Sequence, residues 1–264
     1  MIKEYGFKER FKQTVANNFD LSTEETDRFE ERCGLFGELT KRLLAFLPPL
    51  PGMSILDVGC GTGISTKAIS DSFEDRAGVW GIDISPCMLE KAKKRCPMAH
   101  FLLGDAECLS RFFKGPLGAV YYTASIFLLP NVEKSLIEAS RIMVDGGIIA
   151  GSYMETIEDE EGENLIAFAR TAYPDLGIKQ RRLFSFYDLT KFFQSHFRDV
   201  IEEDVRFSMK REEIEAFFSI PAQSASLFPG VPLEIRQAGV RRLFETLGRD
   251  EYLLLWKLIG GKKR

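Results

Sequence analysis

The chain has 264 residues, 45% of them hydrophobic and 28% charged, a balance that excludes disorder and fibrous repeats and suits one globular domain with elaborations. Its formal net charge of −4 argues against a nucleic-acid partner, because phosphate binding needs a basic surface. No window reaches the ~18 uninterrupted apolar residues of a membrane span, and the charged stretch 1–20 lacks the apolar core of a signal peptide, so a cytoplasmic protein is expected.

The first elements are helical. A short helix is expected around residues 8–17. A longer one is expected over 24–47, where Phe29, Cys33, Phe36, Leu39, Leu43, Leu44 and Leu47 recur at helical spacing. Ser22 with Glu25 three residues on suits a capping box, and Pro48, Pro49 and Pro51 stop the helix. Residues 1–50 then read as a helical cap and 51–264 as the main domain. From residue 53 onward, strands and helices alternate. Strands are expected at 53–58, 77–82, 99–103, 117–124 and 148–153, with helices at 62–72, 86–96 and 132–143. Such alternation is the signature of a parallel sheet covered on both faces. Further on, helices are expected at 163–172, 186–197, 211–218 and 233–247. A strand over 200–209, a proline-bearing stretch over 220–232 and a last strand over 252–259 complete the pattern. The basic clusters 179–182 and 262–264 read as solvated surface.

Chemistry concentrates after the first strand. Asp57-Val58-Gly59-Cys60-Gly61-Thr62-Gly63 joins strand to helix, with glycines that let a ligand approach the backbone and helix N–H groups aimed at the same spot. A dinucleotide loop needs G-x-G-x-x-G, and Ile64 stands at its third glycine, which disfavours a nicotinamide oxidoreductase. Asp83 ends the next strand, where it can hold the two hydroxyls of a ribose or cap the following helix. Asp105 ends the third, where it can accept from an exocyclic amine or stand as a loop carboxylate. The five cysteines form no C-x-x-C pair and have only His100 and His196 beside them, so reduced thiols and no metal are expected.

These blocks, with Gly81-Ile82-Asp83-Ile84-Ser85, Pro86, Met88, Leu89, Gly104-Asp105-Ala106 and Arg141-Ile142-Met143 before Asp145-Gly146-Gly147, resemble the class I S-adenosylmethionine-dependent methyltransferases, in their small-molecule, type 11-like branch. The resemblance spans residues 53–153. It implies a Rossmann-like, mostly parallel seven-stranded sheet with an antiparallel last strand, helices on both faces, and helical additions, including an insertion at about 210–249, forming a lid. It implies S-adenosylmethionine as cofactor, with S-adenosylhomocysteine as product. By position, Asp57, Gly59, Cys60 and Gly61 would face its amino-acid part. Asp83 would hold the ribose, Ile84 would pack against adenine, Asp105 and Ala106 would meet the adenine edge, and Met88 would also belong to the cofactor site. Thr123 would line the methionine end. Gly118 departs from the family, which often has an acid opening that strand.

The function implied is methyl transfer to a small molecule; a non-catalytic adenosyl-nucleotide-binding protein on the same fold is the alternative. Tyr122 and Tyr153 stand near carboxyl ends of strands and are the catalytic candidates, with ordinary strand packing as the competing reading. The apolar supply Phe217, Phe218, Ile220, Leu227, Phe228 and Leu233 suits an apolar acceptor. Residues 15–20 and 43–48 are similar to the carboxyl methyltransferases of biotin synthesis, which admits a carboxylate acceptor as well.

Overall fold

The computed structural model describes residues 2–73, 78–172 and 185–264. The basic cluster 179–182 and the expected first residue of the second strand, Ala77, lie outside them. Seven strands, β1 (Ile55–Val58), β2 (Val79–Asp83), β3 (His100–Leu103), β4 (Leu117–Tyr122), β5 (Met143–Asp159), β6 (Phe197–Lys210) and β7 (Glu251–Lys263), form one sheet in the order β3-β2-β1-β4-β5-β7-β6. The pairs from β3 to β5 are parallel. β7 runs antiparallel to both β5 and β6, as expected of the last strand. The chain order reverses between β1 and β4, and the carboxyl edge at such a switch point is where open α/β sheets bind ligands.

Three helices precede the sheet: α1 (Ile2–Asp20), α2 (Thr23–Cys33) and α3 (Leu35–Phe46). α4 (Ile64–Ser72), α5 (Pro86–Arg95) and α6 (Val132–Ile142) follow β1, β2 and β4. α7 (Leu165–Ala172) and α8 (Phe186–His196) lie between β5 and β6, and α9 (Arg211–Ser219), α10 (Pro221–Leu227) and α11 (Leu233–Leu247) lie between β6 and β7. One core packs Leu39, Leu43, Ile69, Phe217 and Phe244 against Tyr121, Leu254 and Trp256. The other packs Leu136, Ile142, Phe192 and Phe193 against Leu56, Val120 and Tyr122. Strand alternation puts Tyr121 and Tyr122 on opposite faces.

Three expectations are corrected. The single helix 24–47 is two, because Gly34 adopts φ +63°, a left-handed turn that ends α2. The Glu30 carboxylate then accepts from Phe36 N (2.9 Å) and Gly37 N (2.8 Å) at the start of α3. Ser22 makes no capping hydrogen bond; its Oγ donates to the carbonyl of Asn18 (2.6 Å) and accepts from Ala222 N (2.9 Å). The proline-bearing stretch contains α10, which Pro221 opens at a position where its missing N–H costs nothing.

Candidate active site

A cavity opens at the carboxyl edge beside β1, β2 and β4. The loop after β1 forms its floor. Gly59 is at φ +71°, and a Cβ there would stand 2.6 Å from that of Ser125. Gly63 is at φ +82°, and a Cβ there would stand 2.8 Å from Ala92 Cα of α5. Both positions therefore exclude side chains by conformation and by space.

Gly59, Cys60, Gly61, Asp83, Ile84, Met88, Asp105, Ala106 and Thr123 all line this cavity. Asp83 accepts the Gly61 N–H on Oδ2 and the Ser85 N–H on Oδ1, each at 2.9 Å. The carboxylate thus locks the glycine loop to β2. It is not the helix cap, since α5 is capped by Ser85, whose Oγ accepts from Met88 N. Burial raises the Asp83 pKa, against the lowering effect of these backbone N–H groups. Cys60 is buried, and burial pushes its thiol well up, so it lines the cavity uncharged.

Three expected residues stand elsewhere. Asp57 is fully buried behind the loop and does not line the cavity. Its Oδ2 accepts from the hydroxyls of Ser65 (2.6 Å) and Thr66 (2.7 Å), which ties the end of β1 to α4. Burial pushes its pKa up to about 6, with the neighbouring Asp83 charge acting the same way. The catalytic candidates are also out of reach. The Tyr122 hydroxyl bonds Ser135 on α6, and the Tyr153 ring packs between Phe127 and Phe186. Both tyrosines are buried in the core below the cavity, and neither lines it. His100 stacks on Trp80 and His196 on Phe192, both away from the cavity.

The cavity wall opposite the sheet comes from the amino-terminal helices and from α10. Lys12, Val15 and Phe19 of α1, Thr26 of α2, Phe36 of α3, and Ile220 and Gln223 all line it. Lys12 was not legible as a site residue. Its Nζ bonds Asp105 Oδ2 (2.8 Å) and Glu107 Oε2 (2.9 Å), across more than ninety residues of sequence. Burial alone would lower the lysine pKa, but these bonds and the two carboxylate charges hold it raised. At the other end of α1, Asp20 Oδ1 accepts from Ser85 Oγ (2.6 Å). Among the described residues, no group of three or more His, Cys, Asp or Glu could hold a metal ion, and no helix is long and apolar enough to cross a membrane.

The geometry suits an adenosyl nucleotide. Asp83 ends β2, Asp105 follows β3, and the backbone of the loop after β1 lies beside Asp83. The buried hydroxyls of Thr62 and Thr123, both lining the cavity, have no hydrogen-bond partner among the described residues, which a polar ligand would provide.

Comparison with known proteins agrees with this arrangement. The family described as methyltransferase domain matches residues 55–147. Over 145 residues the chain is 29% identical to the aklanonic acid methyltransferase DauC of Streptomyces sp. (strain C5), covering 53% of this chain and 64% of that protein. It is 32% identical over 141 residues to a malonyl-[acyl-carrier protein] O-methyltransferase of Pectobacterium atrosepticum, with 53% and 52% covered. It is 36% identical over 124 residues to a trans-aconitate 2-methyltransferase of Methylobacterium radiotolerans, with 47% and 45% covered. The chain thus spans between 45% and 64% of the length of these curated relatives. In fold, it matches a putative methyltransferase from Bacillus halodurans (TM-score 0.58, 14% identity, 85% of this chain and 98% of that one). It also matches the [4+2]-cyclase SpnF (TM-score 0.61, 17% identity, 96% and 97%). Residues 55–147, which bring three strand ends to this cavity, thus match a methyltransferase domain.

Proposed function

We propose that this chain transfers a methyl group from S-adenosylmethionine to a small, mostly apolar acceptor. The observation that carries the reading is the division of one cavity into two unlike halves. The half against the sheet presents Asp83, Asp105, the Gly59–Gly61 backbone and the unpartnered Thr62 and Thr123 hydroxyls. The half against the helices presents Val15, Phe19, Phe36 and Ile220.

Bound in the first half, the cofactor supplies an electrophilic methyl group on a sulfonium. Asp83 would hold the ribose hydroxyls with the lone pairs its backbone partners leave free, while Asp105, already fixed by Lys12, would meet the adenine edge. The protein's contribution to rate is positioning. Ordering two reactants in one closed site removes the entropy cost of their encounter, and the apolar wall keeps water from competing for the methyl group. Neither Tyr122 nor Tyr153 enters this scheme, since both are held in the core. Incubation with methyl-labelled S-adenosylmethionine and a library of hydrophobic phenols, acids and thiols should label at least one apolar acceptor. Labelling of highly charged acceptors alone would refute the apolar reading.

A further inference from the structure

In the helical half of the cavity, besides Lys12, which Asp105 and Glu107 neutralise, two polar side chains interrupt the apolar wall: Thr26 and Gln223. Both flank Ser22, which is fully buried. The Thr26 N–H donates to the Ser22 carbonyl (2.9 Å), and the N–H of Ala222, next to Gln223, donates to the Ser22 hydroxyl (2.9 Å). α10 is held further by the buried Arg236. Its Nε donates to Ser224 Oγ (3.0 Å), and its terminal nitrogens donate to Val231 O (3.2 Å), Pro221 O (3.1 Å) and Asn18 Oδ1. Thr26 and Gln223 are therefore fixed in relation to each other by a bonded frame spanning two distant parts of the chain. Neither the Thr26 hydroxyl nor the Gln223 amide has a hydrogen-bond partner among the described residues.

The charges around them are already balanced. Asp83 accepts two backbone N–H groups, and Lys12 is neutralised by Asp105 and Glu107. A carboxylate moved into this wall would be desolvated without a counter-charge from the described residues, which costs far more than placing a neutral polar group there.

We infer that Thr26 and Gln223 are the specificity anchor of the acceptor half, and that the acceptor is an uncharged, largely apolar molecule with a hydroxyl or carbonyl oxygen for them to bond. This rests on the reading that the other half of the cavity takes S-adenosylmethionine. The apolar body packs on Phe19, Phe36 and Ile220, and the anchor fixes its orientation.

The test uses the full chain saturated with S-adenosylhomocysteine, whose own binding is measured first by calorimetry. If that nucleotide fails to bind, the cofactor reading fails, separately from the anchor. Naphthol and naphthoate are then titrated as a matched pair. The expected result is binding of naphthol at least about tenfold tighter than naphthoate, as one unpaired charge in an apolar wall requires. T26V and Q223L should each weaken naphthol about three- to tenfold, the loss of one neutral hydrogen bond, with nucleotide binding unchanged. Q223K should gain affinity for naphthoate, which a purely structural role of this residue would not produce. Naphthoate binding as tightly as naphthol, binding of neither, or variants that keep nucleotide binding and bind naphthol like the parent would overturn the inference.

Discussion

Asp83 serves two structures at once. Each of its oxygens accepts one backbone N–H, so the carboxylate is oriented before any ligand arrives and still has lone pairs to offer. Asp83→Ala should therefore weaken S-adenosylhomocysteine by about 1–3 kcal/mol, the loss of charge-assisted bonds, with an added cost from a loosened Gly61. Calorimetry that finds the affinity unchanged would reduce Asp83 to a brace for the loop. Asp57 makes a different prediction. Its folded pKa of about 6 lies above its unfolded value, so the folded chain holds this proton more tightly. The resulting stability is fully present below about pH 4 and is lost as pH rises through about 6. Relative to D57N, the ligand-free protein should lose on the order of 2 kcal/mol between pH 4 and pH 7, read from urea midpoints. Parallel profiles for the two proteins would refute this. The glycine loop, Asp83 and Asp105 were readable because they sit at fixed offsets from strand ends, where a local pattern sets position. Asp57 shares that pattern, yet its side chain turns behind the loop to Ser65 and Thr66. The two tyrosines failed as candidates for the same reason. Being near the end of a strand says nothing about which core a side chain enters.

At the level of elements, α1 is the piece whose role sequence periodicity could not show. Its only visible features were charge and modest helical spacing. The contacts that matter, Lys12 to Asp105 and Glu107 and Asp20 to Ser85, are pairings between distant parts of the chain. They seat α1 across the cavity at two points. Glu107 is only 3% exposed, so removing Lys12 leaves a buried carboxylate with only the more distant Lys134 ammonium (3.8 Å). K12M should destabilise the chain by about 1–3 kcal/mol, less than for a fully buried pair because Asp105 is partly exposed. It should also raise hydrogen exchange across residues 8–20. Unaltered exchange in α1 would show that the ion pair does not seat it. The helix break at Gly34 was hidden for a related reason. The apolar stripe continues from Phe29 through Leu39, so periodicity alone reads one helix, and only the left-handed glycine and the Glu30 carboxylate divide it. α10 was hidden because seven residues between prolines look like loop until Arg236 and Ser22 secure them.

Over the whole molecule, the parallel part of the sheet follows from features that are local and repeated, apolar strands alternating with amphipathic helices, while β7 returns from far along the chain as a long antiparallel partner for β5. That architecture was legible, as was the meeting of the glycine loop, Asp83 and Asp105 on one cavity. The acceptor half was legible only as an apolar supply between β6 and β7, because its wall is assembled from α1, α2, α3 and α10, which lie as much as two hundred residues apart. The central claim is that these parts enclose one site for a sulfur nucleotide. Calorimetric titration of the full chain tests it most directly: S-adenosylhomocysteine should bind saturably at one site per chain and compete with S-adenosylmethionine, while NAD gives no heat. NAD binding in its place, or no binding of either sulfur nucleotide, would contradict the account.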